Sequence, residues 1–217
     1  MHGSAERPAL PPGLIEGGVV AIARRLDPAV VTAVADGLIG GGVRLFEVTL
    51  NEPEAAALAS ITSLARHAEG TPLAVGAGTV LSVEAAQRAR DAGATFLVMP
   101  HTDPDLVAWA ATRAMPSFPG AFSPTEILTA WRAGAAAVKL FPASVAGPAF
   151  VRELRGPFPD IPLIPTGGVS AATAPDFIRA GAIAVGMGSW LIGDGDPAGI
   201  AERGATVVRA VAEARPR

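Results

Sequence analysis

Cysteine is absent from the 217 residues, which excludes disulfides and thiolate metal sites. Histidine is scarce: His2, His67 and His101 are scattered and show no metal-ligand spacing. Aromatic residues make up only 5% of the chain, so a core must be built from Ala, Val, Leu and Ile, and the 50% hydrophobic content is enough for a large one. Long uninterrupted apolar runs are missing; the longest are broken by Lys139, Pro142 or glycines, so no membrane span is expected. No excess of positive charge exists either. The net charge is −3 with no basic tail or stripe, which leaves nucleic-acid binding without an electrostatic footprint. No secretory signal is visible in residues 1–12, which hold three prolines and read as a mobile N-terminal arm. A cytoplasmic protein follows as the expectation.

Lysine is almost absent as well. The 17 basic residues are sixteen arginines and one lysine, Lys139. Arginine replaces lysine as a solvated charge but not as an amine nucleophile, so a lysine that escapes such a bias draws attention.

What is present repeats. Short apolar runs alternate with alanine-rich helical stretches. Val19–Arg24 reads as a strand followed by a helix over Pro28–Gly42, then Val43–Thr49 with Pro53–His67, and Leu73–Gly78 with Val83–Gly93. Thr95–Met99 precedes Pro104–Arg113, Met115–Pro119 precedes Pro124–Gly134, and Ala135–Leu140 precedes Pro148–Arg155. Pro162–Pro165 with Ala171–Gly181 and Ala182–Gly186 with Pro197–Ala214 complete the series. Prolines fall near helix starts, where a missing N–H is harmless. Gly42, Gly93, Gly134 and Gly181 sit where helix C-caps belong. Strands apolar on both faces imply a parallel sheet covered by helices. Eight units of roughly 25 residues predict a single-domain (β/α)8 TIM barrel over residues 13–217. A doubly wound open sheet is the alternative, disfavoured because no G-x-G-x-x-G follows the first strand.

In such a barrel, chemistry belongs at the C-terminal ends of strands. Those positions hold Arg24, Glu47, Thr49, Thr79, Pro100, Pro119–Gly120, Lys139, Thr166–Gly168 and Gly188–Ser189. Polar loops account for many of these, but poorly for Lys139 and Glu47, each enclosed by apolar residues within a strand. A charge there costs several kcal/mol unless paired or neutralised. Burial favours the neutral, nucleophilic amine, and a nearby Glu47 carboxylate could move its protons. A purely structural Lys139–Glu47 ion pair is the competing reading. The glycines of Pro165-Thr-Gly-Gly-Val-Ser170 and Gly186-Met-Gly-Ser189 let backbone N–H groups approach an anion, in the two loops where barrels often hold phosphate, unless they are only tight turns. Trp190 reads as packing.

Taken in order, Glu47-Val-Thr-Leu50, Gly76-Ala-Gly-Thr-Val-Leu81, Lys139-Leu-Phe-Pro142, Pro165-Thr-Gly-Gly168 and Gly188-Ser-Trp-Leu191 form a set. The set resembles the family of 2-keto-3-deoxy-6-phosphogluconate (KDPG), 2-keto-3-deoxy-6-phosphogalactonate and 4-hydroxy-2-oxoglutarate aldolases, over residues 13–214. The resemblance implies a metal-free class I aldolase without a cofactor, whose partners are a phosphorylated 2-keto acid and pyruvate, and which assembles as a homotrimer. By resemblance, Lys139 forms the Schiff base and Glu47 is the acid/base. Thr79 and Thr166 hold the carboxylate or hydroxyls, Pro100 and Phe141 line the pyruvate pocket, and Gly167, Gly168, Gly188 and Ser189 bind phosphate. Many gluconate-type members carry an arginine where this chain has Asn51. That, with Ala21-Ile-Ala-Arg24 and Phe141–Pro148, looks galactonate-like, whereas Thr49 and Pro165-Thr166 look gluconate-like. Arg24 is then the candidate to supply the missing cation. Other readings of the same residues are a phosphate-binding barrel isomerase or synthase, or a non-catalytic barrel scaffold.

Overall fold

A computed structural model describes residues 7–50 and 53–216. Among the described residues, nine strands run β1 (Val19–Ala23), β2 (Leu45–Thr49), β3 (Ala74–Gly78), β4 (Phe96–Val98), β5 (Ser117–Phe118), β6 (Gly120–Ala121), β7 (Val138–Leu140), β8 (Leu163–Pro165) and β9 (Val185–Met187). The helices are α1 (Leu14–Gly17), α2 (Val31–Gly40), α3 (Glu54–His67), α4 (Val83–Asp91), α5 (Pro104–Ala111), α6 (Pro124–Arg132), α7 (Ala143–Leu154), α8 (Ala174–Arg179), α9 (Ser189–Ile192) and α10 (Pro197–Ala214). Every strand ladder is parallel.

The ladders form two sheets, one of six strands in the order β5-β4-β3-β2-β1-β9 and one of three in the order β6-β7-β8. This corrects the expectation of one continuous closed eight-stranded sheet. Pro119 explains one seam. It has no N–H to donate, so the strand expected at 115–119 splits around it. Leu97 and Val98 of β4 align with Ser117 and Phe118, and Lys139 and Leu140 of β7 align with Gly120 and Ala121. The other seam, between β8 and β9, carries a single bridge, Thr166 to Gly186, and a 3.0 Å hydrogen bond from Ile183 N to Leu163 O.

Alternation along the strands sorts side chains into two layers. Ala21, Ala23, Phe46, Val48, Val75, Ala77 and Leu97 pack outward against the helices. Val20, Leu45, Phe96, Val98, Phe118 and Ile164 pack into a second, inner cluster. By period two, Glu47 lies on the inner face of β2, between outward-facing Phe46 and Val48. At about 25 cal/mol per Å2 of apolar area, each fully buried Leu, Ile or Phe contributes about 1.5–3 kcal/mol.

Local capping places the helices. Ser123 accepts from Glu126 N at 3.3 Å while Glu126 Oε2 accepts from Ser123 N at 2.7 Å, a reciprocal capping box at the start of α6. Asp103 and Asp196 cap α5 and α10 ahead of Pro104 and Pro197. The helix expected to begin at Pro148 instead begins at Ala143. It is kinked at Gly147, whose φ of 70° and ψ of 167° leave the helical region and make room for the proline that follows.

The described part of the expected mobile arm is packed. Pro8 and Pro11 are buried. Arg7 donates to the carbonyls of Trp131, at 3.0 Å, and Ala135, and its guanidinium lies 3.2 Å from the Trp131 ring centroid. Leu10 and Leu14 pack against the inner cluster. Among the described residues, no helix is long and apolar enough to cross a membrane.

Candidate active site

Parallel strands bring all their C-terminal ends to one side, and there a cavity of about 550 Å3 opens. That is within the usual range for a small-molecule site. Its lining includes Arg24 after β1, Lys139 of β7, Phe141, Thr166 through Ser170 after β8, and Gly188 through Trp190 after β9. Four strand ends, β1, β7, β8 and β9, thus converge as the rim positions predict.

Lys139 is held by the β7 ladder, its N–H donating to Pro119 O at 2.9 Å, so its side chain points inward between outward-facing Val138 and Leu140. It is 8% exposed, and its Nζ lies 5.2 Å from the centroid of the Phe141 ring. Adjoining the cavity is a small space of about 10 Å3, bordered by Ile22, Lys139 and Thr166, which also line the cavity, and by Glu47, Val98, Phe118, Ile164 and Gly186. Lys139 therefore borders both spaces, whereas Glu47 borders only the smaller one.

Glu47 is 1% exposed, and its Oε2 is buried with no hydrogen-bond partner. Burial pushes its carboxyl above the ordinary value; the positive charges of Lys139 and, less strongly, Arg24 act against that shift. A carboxyl that is desolvated yet feels the charge of an amine is suited to holding and releasing protons during a reaction.

Thr166 is buried, and its hydroxyl donates to Ile164 O at 3.1 Å. Gly167 and Gly168 take φ values of 94° and 77°, which glycine alone adopts without strain. A Cβ on Gly168 would come within 2.7 Å of Ser144 Cβ, so the loop lies close against the start of α7. Gly188 and the exposed Ser189 face the same cavity from the other side. Exposed Arg24 is, among the described residues, the only arginine in the cavity's lining.

Three expected residues fall elsewhere. Thr49 is buried, donates to Ala23 O at 3.2 Å, and borders a separate cavity of about 330 Å3 with Arg25, Pro28, Pro53 and Ala57. Its hydroxyl is taken up in joining β1 to β2. Thr79, with a φ of 56°, and Pro100 are not in the main cavity's lining. Asn51 lies outside the described residues. Conversely, Ile22, Ser170 and Trp190 line the cavity, though none of them was assigned a binding role from the sequence. Trp190, on the four-residue α9, packs against the main core as expected and also presents a face to the cavity. Among the described residues, no group of three or more His, Asp or Glu side chains gathers as a metal site requires.

A parallel α/β fold that gathers a buried amine, a buried carboxylate and glycine loops at its strand ends defines an enzyme, and comparison with known proteins identifies its class as the aldolases, which are lyases. The model of the KDPG and KHG aldolases matches residues 13–199, and the chain belongs to that family. It is 37% identical over 195 residues to a probable 2-dehydro-3-deoxy-6-phosphogalactonate aldolase of Rhizobium meliloti, covering 89% of this chain and 90% of that protein. It is 36% identical over 188 residues to a 2-dehydro-3-deoxy-phosphogluconate aldolase of Pseudomonas aeruginosa, covering 86% and 80%. A solved native KDPGal structure superposes with a TM-score of 0.84 at 31% identity, over 90% of this chain and 95% of that one.

Proposed function

We propose that the protein cleaves a 2-keto-3-deoxy-6-phospho sugar acid reversibly to pyruvate and glyceraldehyde 3-phosphate, through a Schiff base on Lys139. The observation that carries this reading is the placement of the chain's single lysine. It is buried in the lining of the open cavity and also borders the small space that Glu47 lines. Lys139 Nζ attacks the C2 carbonyl, and loss of water gives an iminium. Removal of the C4 hydroxyl proton breaks the C3–C4 bond, and its electron pair moves into the iminium to give the enamine of pyruvate. Protonation at C3 and hydrolysis release pyruvate and free the amine. Glu47 is the proton carrier at the lysine end.

The backbone N–H groups of Gly167, Gly168 and Gly188, with Ser189, receive the phosphate, and Arg24 supplies the charge beside them. Thr166 and Phe141 shape the keto-acid end. The strand segments read together as one (β/α)8 barrel if 117–121 counts as a single strand split at Pro119 and the Thr166–Gly186 bridge as its closure. A homotrimer is the assembly the family resemblance implies, and light scattering reads it directly.

Substrate preference at C4 is loose or leans to the galactonate epimer. The absence of an arginine at position 51 and the likeness to a galactonate-type relative support this. The test is pyruvate release from each of the two C4-epimeric 6-phospho acids. Comparable kcat/KM values, or a galactonate preference, are expected; a strict gluconate preference would overturn the stereochemical part. Turnover of neither would overturn the function.

A further inference from the structure

We propose that Gly78 is a positioning residue for Glu47: its missing Cβ is the slot that fixes where the carboxylate sits. The proposal rests on the acid–base role given to Glu47 above.

The inward positions of β3 are Ala74, Gly76 and Gly78, all small, whereas its outward positions are Val75 and Ala77. Gly76 makes room for a ring, since a Cβ there would meet the edge of Phe96. Gly78 makes room for a functional group. A Cβ at Gly78 would lie 2.6 Å from Glu47 Cγ and closer still to Cδ and Oε1. Backbone conformation does not require this glycine, because Gly78 is not among the residues with positive φ. Space alone excludes a side chain.

Hydrogen bonds do little to fix the carboxylate in place. Oε2 has no partner, and no donor to either oxygen of Glu47 is present among the described residues. The position of the carboxylate is therefore set by shape, and a shape-held group moves when its slot is filled. Gly78 itself is fixed, because its carbonyl accepts from Leu50 N at 2.7 Å and its strand aligns residue by residue with β2. Thr166 repeats the device against Gly186, where a Cβ would lie 2.8 Å from Thr166 Cγ2 and closer to Oγ1.

The test is a two-by-two cycle of Gly78→Ala and Glu47→Ala, read by melting temperature and, for Gly78→Ala alone, by steady-state kinetics. Displacing the carboxylate by about 1 Å should lower kcat by roughly 100-fold. KM should stay within a factor of about three, because neither Gly78 nor Glu47 lines the open cavity. The melting temperature should fall by several degrees on Gly78→Ala in the parent. It should be unchanged or raised by the same substitution in the Glu47→Ala background, where the slot is empty. If Gly78→Ala does not fold, the double variant must still fold. A Gly78→Ala enzyme with near-parent kcat, or an equal thermal penalty in both backgrounds, would overturn the proposal. If Glu47→Gln remains fully active, the acid–base reading fails instead, while the thermal cycle still judges the contact.

Discussion

Replacing Glu47 with glutamine should stabilise the protein while disabling it. The substitution keeps the shape of the side chain and removes the charge. In the native state that charge is desolvated and its Oε2 has no partner. The carboxyl is therefore raised above its ordinary value of 4.5, against the opposing pull of Lys139 and Arg24. A group raised on folding binds its proton more tightly in the native state than in the unfolded one. Stability is then lost as pH climbs from the unfolded value towards the folded one, and the full cost is present above both. Each unit of elevation is about 1.36 kcal/mol. One unit corresponds to roughly 3–5 °C in melting temperature for a chain of this size. Thermal unfolding followed by circular dichroism at pH 4, 6 and 8 reads the effect directly. The glutamine variant should match the parent near pH 4 and exceed it by a few degrees at pH 8, and its kcat should fall by about 100- to 10,000-fold. A variant less stable than the parent at pH 8, or one whose advantage ignores pH, would refute the argument that burial dominates at Glu47.

Arg24→Ala should lower kcat/KM by about 10- to 100-fold, since charged hydrogen bonds are worth roughly 1.5–3 kcal/mol; an unimpaired variant would remove Arg24 from the anion site. Gly168→Ala must force a side chain into a left-handed φ and against Ser144. It should raise KM for phosphorylated substrate far more than for an unphosphorylated analogue, and equal effects on both would make the loop structural only. Activity should survive prolonged chelation; a loss restored by a divalent ion would point to metal chemistry.

Much of the site was legible because its residues break the local pattern. Lys139 and Glu47 are charges within apolar strands, and such exceptions are visible without a structure. Their inward orientation was not legible, because strands apolar on both faces carry no alternating signal. That Glu47 borders the small inner space and not the open cavity depends on the register of β2 against β1 and β3, which no local window reports. Thr49 illustrates the same limit. It has the composition of a rim residue, yet its hydroxyl is taken up by Ala23 O, a contact fixed by strand pairing. Pro119 was read as the end of a strand, when it splits one strand between two ladders. Pro148 was read as a helix start, when Gly147 lets it sit inside a kinked helix.

The central claim is that Lys139 is the covalent nucleophile, and one measurement tests it most directly. The protein is incubated with pyruvate and borohydride, which reduces an iminium to a stable secondary amine, and intact mass and peptide mapping follow. One pyruvate-derived mass per chain, mapped to Lys139 and absent from a folded Lys139→Arg variant that has lost activity, is the predicted result, because a guanidinium stays protonated. Active protein that yields no adduct at Lys139 would contradict the account.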